Sequence, residues 1–221
     1  MKNLTIFCDF DGTITTQDNI IHIMKKFNPP EWESIKDNIL AQNISIEEGV
    51  RKMFSLLPSS LKDEVISYVL KEAQIREGFG SFVVFTKKYN IQLYIVSGGI
   101  DFFVKPLLEP YGPFEDIYCN IADFSEDTIK IIFPFGCDET CPSQGCGCCK
   151  PSIMRNRLPK DATSIVIGDS ITDLEAAKLA DIVIARDFLV EKCEELRLPY
   201  EKYESFHDVI TIIETRLGVK S

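Results

Sequence analysis

Near the start of this chain a short apolar run, Ile6-Phe7-Cys8, breaks off into Asp9-Phe10-Asp11-Gly12-Thr13. On an extended strand, carboxylates spaced i, i+2 fall on one face. Two anions that close repel unless a cation lies between them. Gly12 permits a tight turn at this point, and Thr13 can hydrogen-bond back to the local backbone. The junction therefore predicts a divalent-cation site at the C-terminal end of the first strand of an α/β sheet, where open sheets place their ligands.

The rest of the chain has to supply that sheet. Its 221 residues suffice for one core domain and a modest appendage. A formal net charge of -10 argues against a nucleic-acid or anionic-membrane partner, either of which would call for a basic face. Any phosphate ligand would then need local positive charge from lysine, metal or backbone N–H groups. The apolar run before Asp9 is too short and too acidic for a signal peptide, and no apolar run approaches a membrane span. A cytoplasmic protein is expected, with its eight cysteines as free thiols or metal ligands.

After Thr13 come four helical patterns. Residues 19–27 carry Ile20, Ile23, Met24 and Phe27 on one stripe, and Asn28-Pro29-Pro30 stops it. A second helix spans about 31–42, with Trp32, Ile35 and Ile39 on one side. Ser45 and Glu48 have capping-box spacing at the head of a third, which ends at Pro58. Ser60 with Asp63 opens a fourth, carrying Leu61, Val65, Val69 and Leu70. Four helices exceed a simple crossover, so residues 16–74 are expected to form an inserted helical cap, with 1–15 and 75–221 as the core. Phe27, Trp32, Met53 and Phe54 belong to this cap, and core packing is the expected use of each.

Beyond residue 77 strand and helix alternate. Residues 91–96 read as a buried strand ending in Ser97-Gly98-Gly99, before a helix from about 101 to 108. A hydroxyl and two glycines between strand and helix would form a small nest of N–H donors suited to phosphate oxygens, although the same tripeptide is ordinary turn chemistry. A short strand at 117–120 and a hairpin over 121–133 follow. Lys150-Pro151 opens a helix to about 158, with Pro151 in its first turn. A lysine there opposes the helix dipole, which suggests that it faces an anion. A further buried strand, residues 164–168, runs into Asp169-Ser170-Ile171-Thr172-Asp173. Asp173 could act as a helix N-cap, whereas Asp169 has little structural reason to follow a buried strand. A strand at 182–185 and helices at 188–196 and 206–217 complete the pattern.

Between hairpin and Lys150 lies Cys137-x3-Cys141-x4-Cys146-x-Cys148-Cys149, too poor in apolar residues to pack itself. This is not the paired Cys-x2-Cys of a strong zinc signature, and no histidine is near. A structural Zn²⁺ held by these five cysteines, free thiols, and a redox-sensitive loop all remain open.

The alternation predicts a parallel, doubly wound α/β sheet whose strand ends bring together Asp9, Asp11, Ser97, Asp169 and Asp173, with Lys150 opening an intervening helix. Asp9-Phe-Asp11-Gly-Thr13, Ser97-Gly-Gly, Lys150-Pro and Gly168-Asp169-Ser-x-Thr-Asp173 together resemble, in order, the four motifs of haloacid-dehalogenase-superfamily phosphatases. The helical insertion resembles the cap of their phosphoserine-phosphatase-like branch. Within that branch the chain is similar to the phosphatases of methionine salvage, which act on a phosphorylated methylthio ketose. Asp18-Asn19-Ile20-Ile21, Pro29-Pro30-Glu31-Trp32, Leu56-Leu57-Pro58-Ser59-Ser60, Ser97-Gly98-Gly99-Ile100-Asp101-Phe102-Phe103 and Cys146-Gly147-Cys148-Cys149-Lys150-Pro151-Ser152 carry that likeness.

The resemblance implies a Mg²⁺-dependent phosphomonoesterase. Asp9 would be the nucleophile, Asp11 the proton donor and then acceptor, and Lys150 the group that offsets charge. Thr13, Ser97 and Gly98 would hold phosphate oxygens. The metal would be bound by the Asp9 and Asp169 carboxylates and the Asp11 carbonyl, with Asp173 orienting Lys150 or metal-bound water. The implied partner is a small phosphorylated molecule, and the sequence leaves monomer or homodimer open. A phosphoserine or phosphocholine phosphatase of the same branch is the alternative. A receiver-like signalling module is opposed by the insertion and by the second acid at i+2.

Overall fold

Seven strands form one sheet, and the chain order reverses at the first of them. The computed structural model describes residues 3–217. Its strands are β1 (Asn3–Cys8), β2 (Gln92–Ile100), β3 (Asp116–Asp123), β4 (Lys130–Ile132), β5 (Ala162–Gly168), β6 (Ile182–Ala185) and β7 (Glu201–Lys202). They lie in the order β4-β3-β2-β1-β5-β6-β7. All neighbours are parallel except β4, which pairs antiparallel with β3. Because β1 sits between β2 and β5, connections depart from it in opposite directions, and the crevice at its carboxyl end is the expected ligand position of a doubly wound sheet. The predicted α/β class and parallel core are borne out.

Strand alternation divides the apolar residues between the two faces. Ile6, Cys8, Leu93, Ile95, Ile165 and Ile167 enter the main core. Phe7, Tyr94, Val96 and Val166 join a second cluster with Ile153 and Met154. Both faces are covered, so the central strands read as continuous apolar runs. Fully burying one such isoleucine contributes about 1.5–3 kcal/mol.

Ten α-helices are present among the described residues: α1 (Asn19–Phe27), α2 (Trp32–Leu40), α3 (Ile46–Ser55), α4 (Lys62–Glu72), α5 (Phe79–Lys88), α6 (Asp101–Leu108), α7 (Lys150–Arg157), α8 (Leu174–Ala177), α9 (Asp187–Leu196) and α10 (Phe206–Leu217). None is long and apolar enough to cross a membrane. Asp18 caps α1 by accepting the Ile21 N–H, and Asn28 closes it in the left-handed region at φ 43°. Ser45 caps α3 through the Glu48 N–H, but the Glu48 carboxylate pairs with Lys52 rather than completing the predicted capping box. The expected Ser60 cap is replaced by a 3-10 turn over Ser59–Leu61.

Helices α1–α4 leave and rejoin the sheet region through a narrow neck. Thr15 and Ile75 form an antiparallel bridge there. Beside it, Thr16 N–H donates to the Gln74 carbonyl at 2.9 Å and Arg76 N–H to the Ile14 carbonyl at 2.7 Å. Trp32, Met53 and Phe54 are buried in the same continuous core as the sheet, so the four helices share one apolar interior with it.

Two local readings change. β2 continues through Ser97-Gly98-Gly99 to Ile100, with its pairing to β3 shifting register between Val96 and Ile100. The predicted glycine turn is therefore an irregular strand end, and neither glycine adopts a positive φ. The separate short strand at 117–120 is the first part of β3, which continues into the hairpin.

Candidate active site

β1 stops at Cys8, so Asp9 and Asp11 stand on the turn beyond it rather than on an extended strand. The two carboxylates take different partners. Asp9 stays in register with the sheet, its N–H donating to the Ile167 carbonyl at 2.9 Å. Its Oδ1 lies 2.7 Å from Lys150 Nζ. Asp11 turns elsewhere: its Oδ1 accepts the Asn19 N–H at 3.0 Å and the Asn19 amide Nδ2 at 2.6 Å. Ser97 Oγ donates to its Oδ2 at 3.4 Å.

The carboxylates that converge are Asp9, Asp169 and Asp173, whose ligand oxygens lie within 4.8 Å of one another. Asp173 is fully committed. Its Oδ1 accepts Lys150 Nζ at 2.5 Å, and its Oδ2 accepts the Asp169 and Ser170 N–H groups at 3.1 and 3.0 Å. Ser170 caps the short turn Ile171–Asp173 with Asp173 completing its capping box, and Asp173 stands at the N-cap position of α8 without a side-chain bond into that helix. Lys150, at the head of α7, thus bridges Asp9 and Asp173 and also donates to Thr172 Oγ1 at 3.0 Å.

Thr13 has a different partner from the one expected. It is buried, and its hydroxyl donates to Asp169 Oδ1 at 2.7 Å. Through that bond Thr13 aims Asp169. Gly12 makes room for the same carboxylate: at φ +81° a Cβ would sit 2.3 Å from Asp169 Oδ2. At Gly98 an added Cβ would meet nothing within 4 Å, so the strand end is open there.

Burial and mutual repulsion shape the titration of this cluster. Desolvation pushes Asp9 above the usual carboxylate range, opposed by Lys150 and reinforced by Asp173 and Asp169. Desolvation raises Asp11 too, with Asp18 and Asp9 adding repulsion and Asn19 opposing. Asp169 is pushed up to about 7, by desolvation first and then by Asp173. Lys150 is held above its ordinary value because Asp173 and Asp9 outweigh its own desolvation.

Sequence reading missed two residues of this site. Asn19 clamps Asp11 as described. Arg76 is buried and donates from Nε to the Thr13 carbonyl at 2.7 Å, and from its terminal nitrogen to the carbonyls of Gly12 and Thr15 at 2.6 and 3.2 Å. It thereby holds the turn after β1 from the far side of the neck. An arginine followed by a helix carries no motif, so nothing local marks it. Arg76→Met should destabilise the protein by on the order of 3 kcal/mol, since it leaves buried carbonyls unsatisfied. Chemical denaturation would measure the loss.

These residues sit on a fold with known company. A model of the family described as haloacid dehalogenase-like hydrolase matches residues 6–178. The chain belongs to this family. It is 59% identical over 213 residues to the 2-hydroxy-3-keto-5-methylthiopentenyl-1-phosphate phosphatase of Geobacillus kaustophilus, covering 96% of each chain. The protein of the same name from Geobacillus thermodenitrificans is 58% identical over 209 residues, covering 95% of this chain and 94% of that one. Among solved structures, a substrate-bound phosphoserine phosphatase superposes with a TM-score of 0.70 at 19% identity, covering 96% of this chain and 99% of that one. A phosphoserine phosphatase from T. onnurineus superposes with a TM-score of 0.71 at 15% identity, covering 100% of this chain and 96% of that one. These two likenesses carry the fold. As a haloacid dehalogenase-like hydrolase with phosphatase relatives, the chain is a phosphoric monoester hydrolase.

Proposed function

We propose that this phosphatase hydrolyses 2-hydroxy-3-keto-5-methylthiopentenyl-1-phosphate through a phosphorylated Asp9, releasing 1,2-dihydroxy-3-keto-5-methylthiopentene in methionine salvage. The observation that carries the substrate is near-full-length identity of 59% to a relative of that name. The mechanism rests on the division between the two aspartates after β1. Asp9 points into the cluster with Lys150, while Asp11 is held apart by Asn19 and Ser97.

An Asp9 oxygen attacks phosphorus as the substrate oxygen departs in line. Asp11, raised by burial, supplies the proton that the leaving oxygen needs. Water then attacks the aspartyl phosphate, and Asp11 takes its proton. Splitting the transfer into two displacements lets one acid/base residue serve both. Lys150 favours the ionised form of Asp9 against its burial and offsets the charge of the incoming phosphate, while Asp173 and Thr172 fix the ammonium. Ser97 Oγ and the Gly98 N–H lie at the open strand end, where phosphate oxygens would be received. Helices α1–α4, entering through their narrow neck, act as the cap that excludes water.

The donor set fits Mg²⁺: two neighbouring carboxylates with hard oxygens, Asp9 buried and Asp169 half-buried, both pushed above the usual carboxylate range. Asp9, Asp169 and the Asp11 carbonyl would hold it, and Thr13 aims Asp169. Bound there, the ion supplies charge neutralisation to the phosphoryl group. Asp173 is not a ligand in this reading, because its oxygens are already engaged.

A pH dependence follows. Asp169 titrates at about 7 in the folded chain against an ordinary value of 3.8. Between those values the folded state binds more protons than the unfolded state, so stability of the metal-free protein falls as pH rises through this window. Mg²⁺ binds the ionised form and should therefore raise the melting temperature more at pH 7.5 than at pH 5, which thermal melts in EDTA and in Mg²⁺ would check.

The functional test offers the purified enzyme the methylthio ketose phosphate, phosphoserine and p-nitrophenyl phosphate. The first should be strongly preferred, and preference for phosphoserine would sink the substrate assignment. Asp11→Asn should lower hydrolysis by roughly 10²–10⁴-fold. Activity that survives both EDTA and that substitution would refute the mechanism.

A further inference from the structure

Between β4 and α7 the chain runs from about 133 to 149 without regular structure, and its sulfurs hold the explanation. The Sγ atoms of Cys137, Cys141, Cys146 and Cys149 all lie within 4.8 Å of one another. Cys141 and Cys146 are 3.7 Å apart at sulfur. Four metal–sulfur bonds of about 2.3 Å in tetrahedral array set sulfurs about 3.8 Å apart, whereas a disulfide requires about 2.05 Å. Cys148 does not take part: it is buried in the second cluster, with its sulfur 3.9 Å from the Tyr118 carbonyl. Removing it from the set leaves Cys137-x3-Cys141 and Cys146-x2-Cys149, two pairs with structural-zinc spacing.

We propose that this loop binds one zinc ion through Cys137, Cys141, Cys146 and Cys149, and that the ion ties the head of α7, with Lys150, to the head of α3. Four thiolates at these separations match a closed zinc site and leave no open position for chemistry, so the ion is structural. Each thiol gives up its proton to solvent as it binds, so uptake weakens as pH falls. The surroundings are built to orient the sulfurs. Ser152 Oγ donates to Cys149 Sγ at 3.1 Å and accepts the Asp138 N–H at 2.9 Å. Asp138 in turn takes a two-point bond from Arg155 at 2.9 and 2.6 Å. Outer-shell bonds of this kind fix ligand orientation.

The knot reaches the heads of both α7 and α3. Cys149 directly precedes Lys150, and its N–H donates to the Phe135 carbonyl at 2.8 Å. The Gly145 carbonyl accepts the Glu47 N–H, in the first turn of α3, at 2.9 Å. Gly145 has φ +69°, and a Cβ there would meet Ser45 Cβ at 2.6 Å, so the contact with α3 requires glycine. Losing the ion should therefore loosen α7 and α3 at their N-termini together.

Elemental analysis of untagged protein purified without chelator should find one zinc per chain. Cys141→Ser and Cys146→Ser should each lose it, while Cys148→Ala keeps it. Should the serine variants fail to fold, wild type refolded with Co²⁺ provides the second reading: the visible ligand-field and near-ultraviolet thiolate bands of a tetrahedral four-sulfur centre are expected. Hydrogen exchange in the first turns of α7 and α3 should quicken when the metal is withdrawn. Native protein that holds no zinc, that carries disulfides or iron at these cysteines, or whose zinc survives Cys141→Ser overturns the proposal. So does exchange that quickens in neither helix. All these readouts are independent of which phosphoester the enzyme cleaves.

Discussion

Asp9→Asn should cut phosphatase turnover by roughly 10⁴-fold or more, because it removes the nucleophile while the rest of the site stays in place. The fold should not suffer. In metal-free wild type, Asp9 and Asp173 share one buried lysine, and Asp169 lies beside them. Replacing one carboxylate by an amide relieves repulsion and desolvation together, and Lys150 keeps its bond to Asp173. The melting temperature in EDTA should equal or exceed that of wild type, and the gain on adding Mg²⁺ should shrink. Steady-state kinetics and paired thermal melts test both halves. A variant within tenfold of wild-type turnover would remove Asp9 from the nucleophile's role, whatever its stability.

Lys150→Met should have the opposite balance, losing both activity and stability. The ammonium is buried between Asp9 at 2.7 Å and Asp173 at 2.5 Å. Breaking a buried pair by deleting one partner typically costs about 3–5 kcal/mol, because an uncompensated charge stays inside. The pH dependence follows from the signs. Lys150 is raised above its ordinary value in the folded chain, so its contribution is present throughout the neutral range and is lost only as pH rises through that higher value. In the variant the orphaned carboxylates take up protons instead. The penalty should therefore be smaller at pH 5 than at pH 8, and denaturant titrations at the two values read the difference. An equal penalty at both would mean that Lys150 contributes by packing rather than by charge.

The two variants separate roles that the primary structure merges. Asp9 and Asp11 sit two residues apart and look alike in sequence, yet one faces the lysine and the other is clamped by Asn19. Thr13 shows the same limit from another side. Its partner Asp169 lies 156 residues away, and no local pattern announces a bond that long in sequence. Arg76 is silent for a related reason: it recognises carbonyls, which every residue possesses. Ser97-Gly98-Gly99 misled in the reverse sense. Glycine pairs commonly mark turns, but here pairing with β3 carries β2 on to Ile100, so tertiary context overrode local preference.

The cysteine loop carries both lessons. Five sulfurs in thirteen residues announce a tie of some kind, and read as neighbours they end in Cys148-Cys149. The fold sends Cys148 toward Tyr118 and Cys149 toward the cluster.

By itself the sequence determined the alternation of strands and helices, the parallel sheet, the three polar clusters at its strand ends and the lysine that opens α7. These follow from periodicity and from apolar runs that stop at charges, both local properties of the chain. The tertiary structure alone decided which charge meets which: Lys150 with Asp9 and Asp173, Thr13 with Asp169, Asn19 with Asp11, and four cysteines rather than five. Such pairings depend on distances between elements remote in sequence, set by strand order and register, and a one-dimensional pattern carries no measure of them.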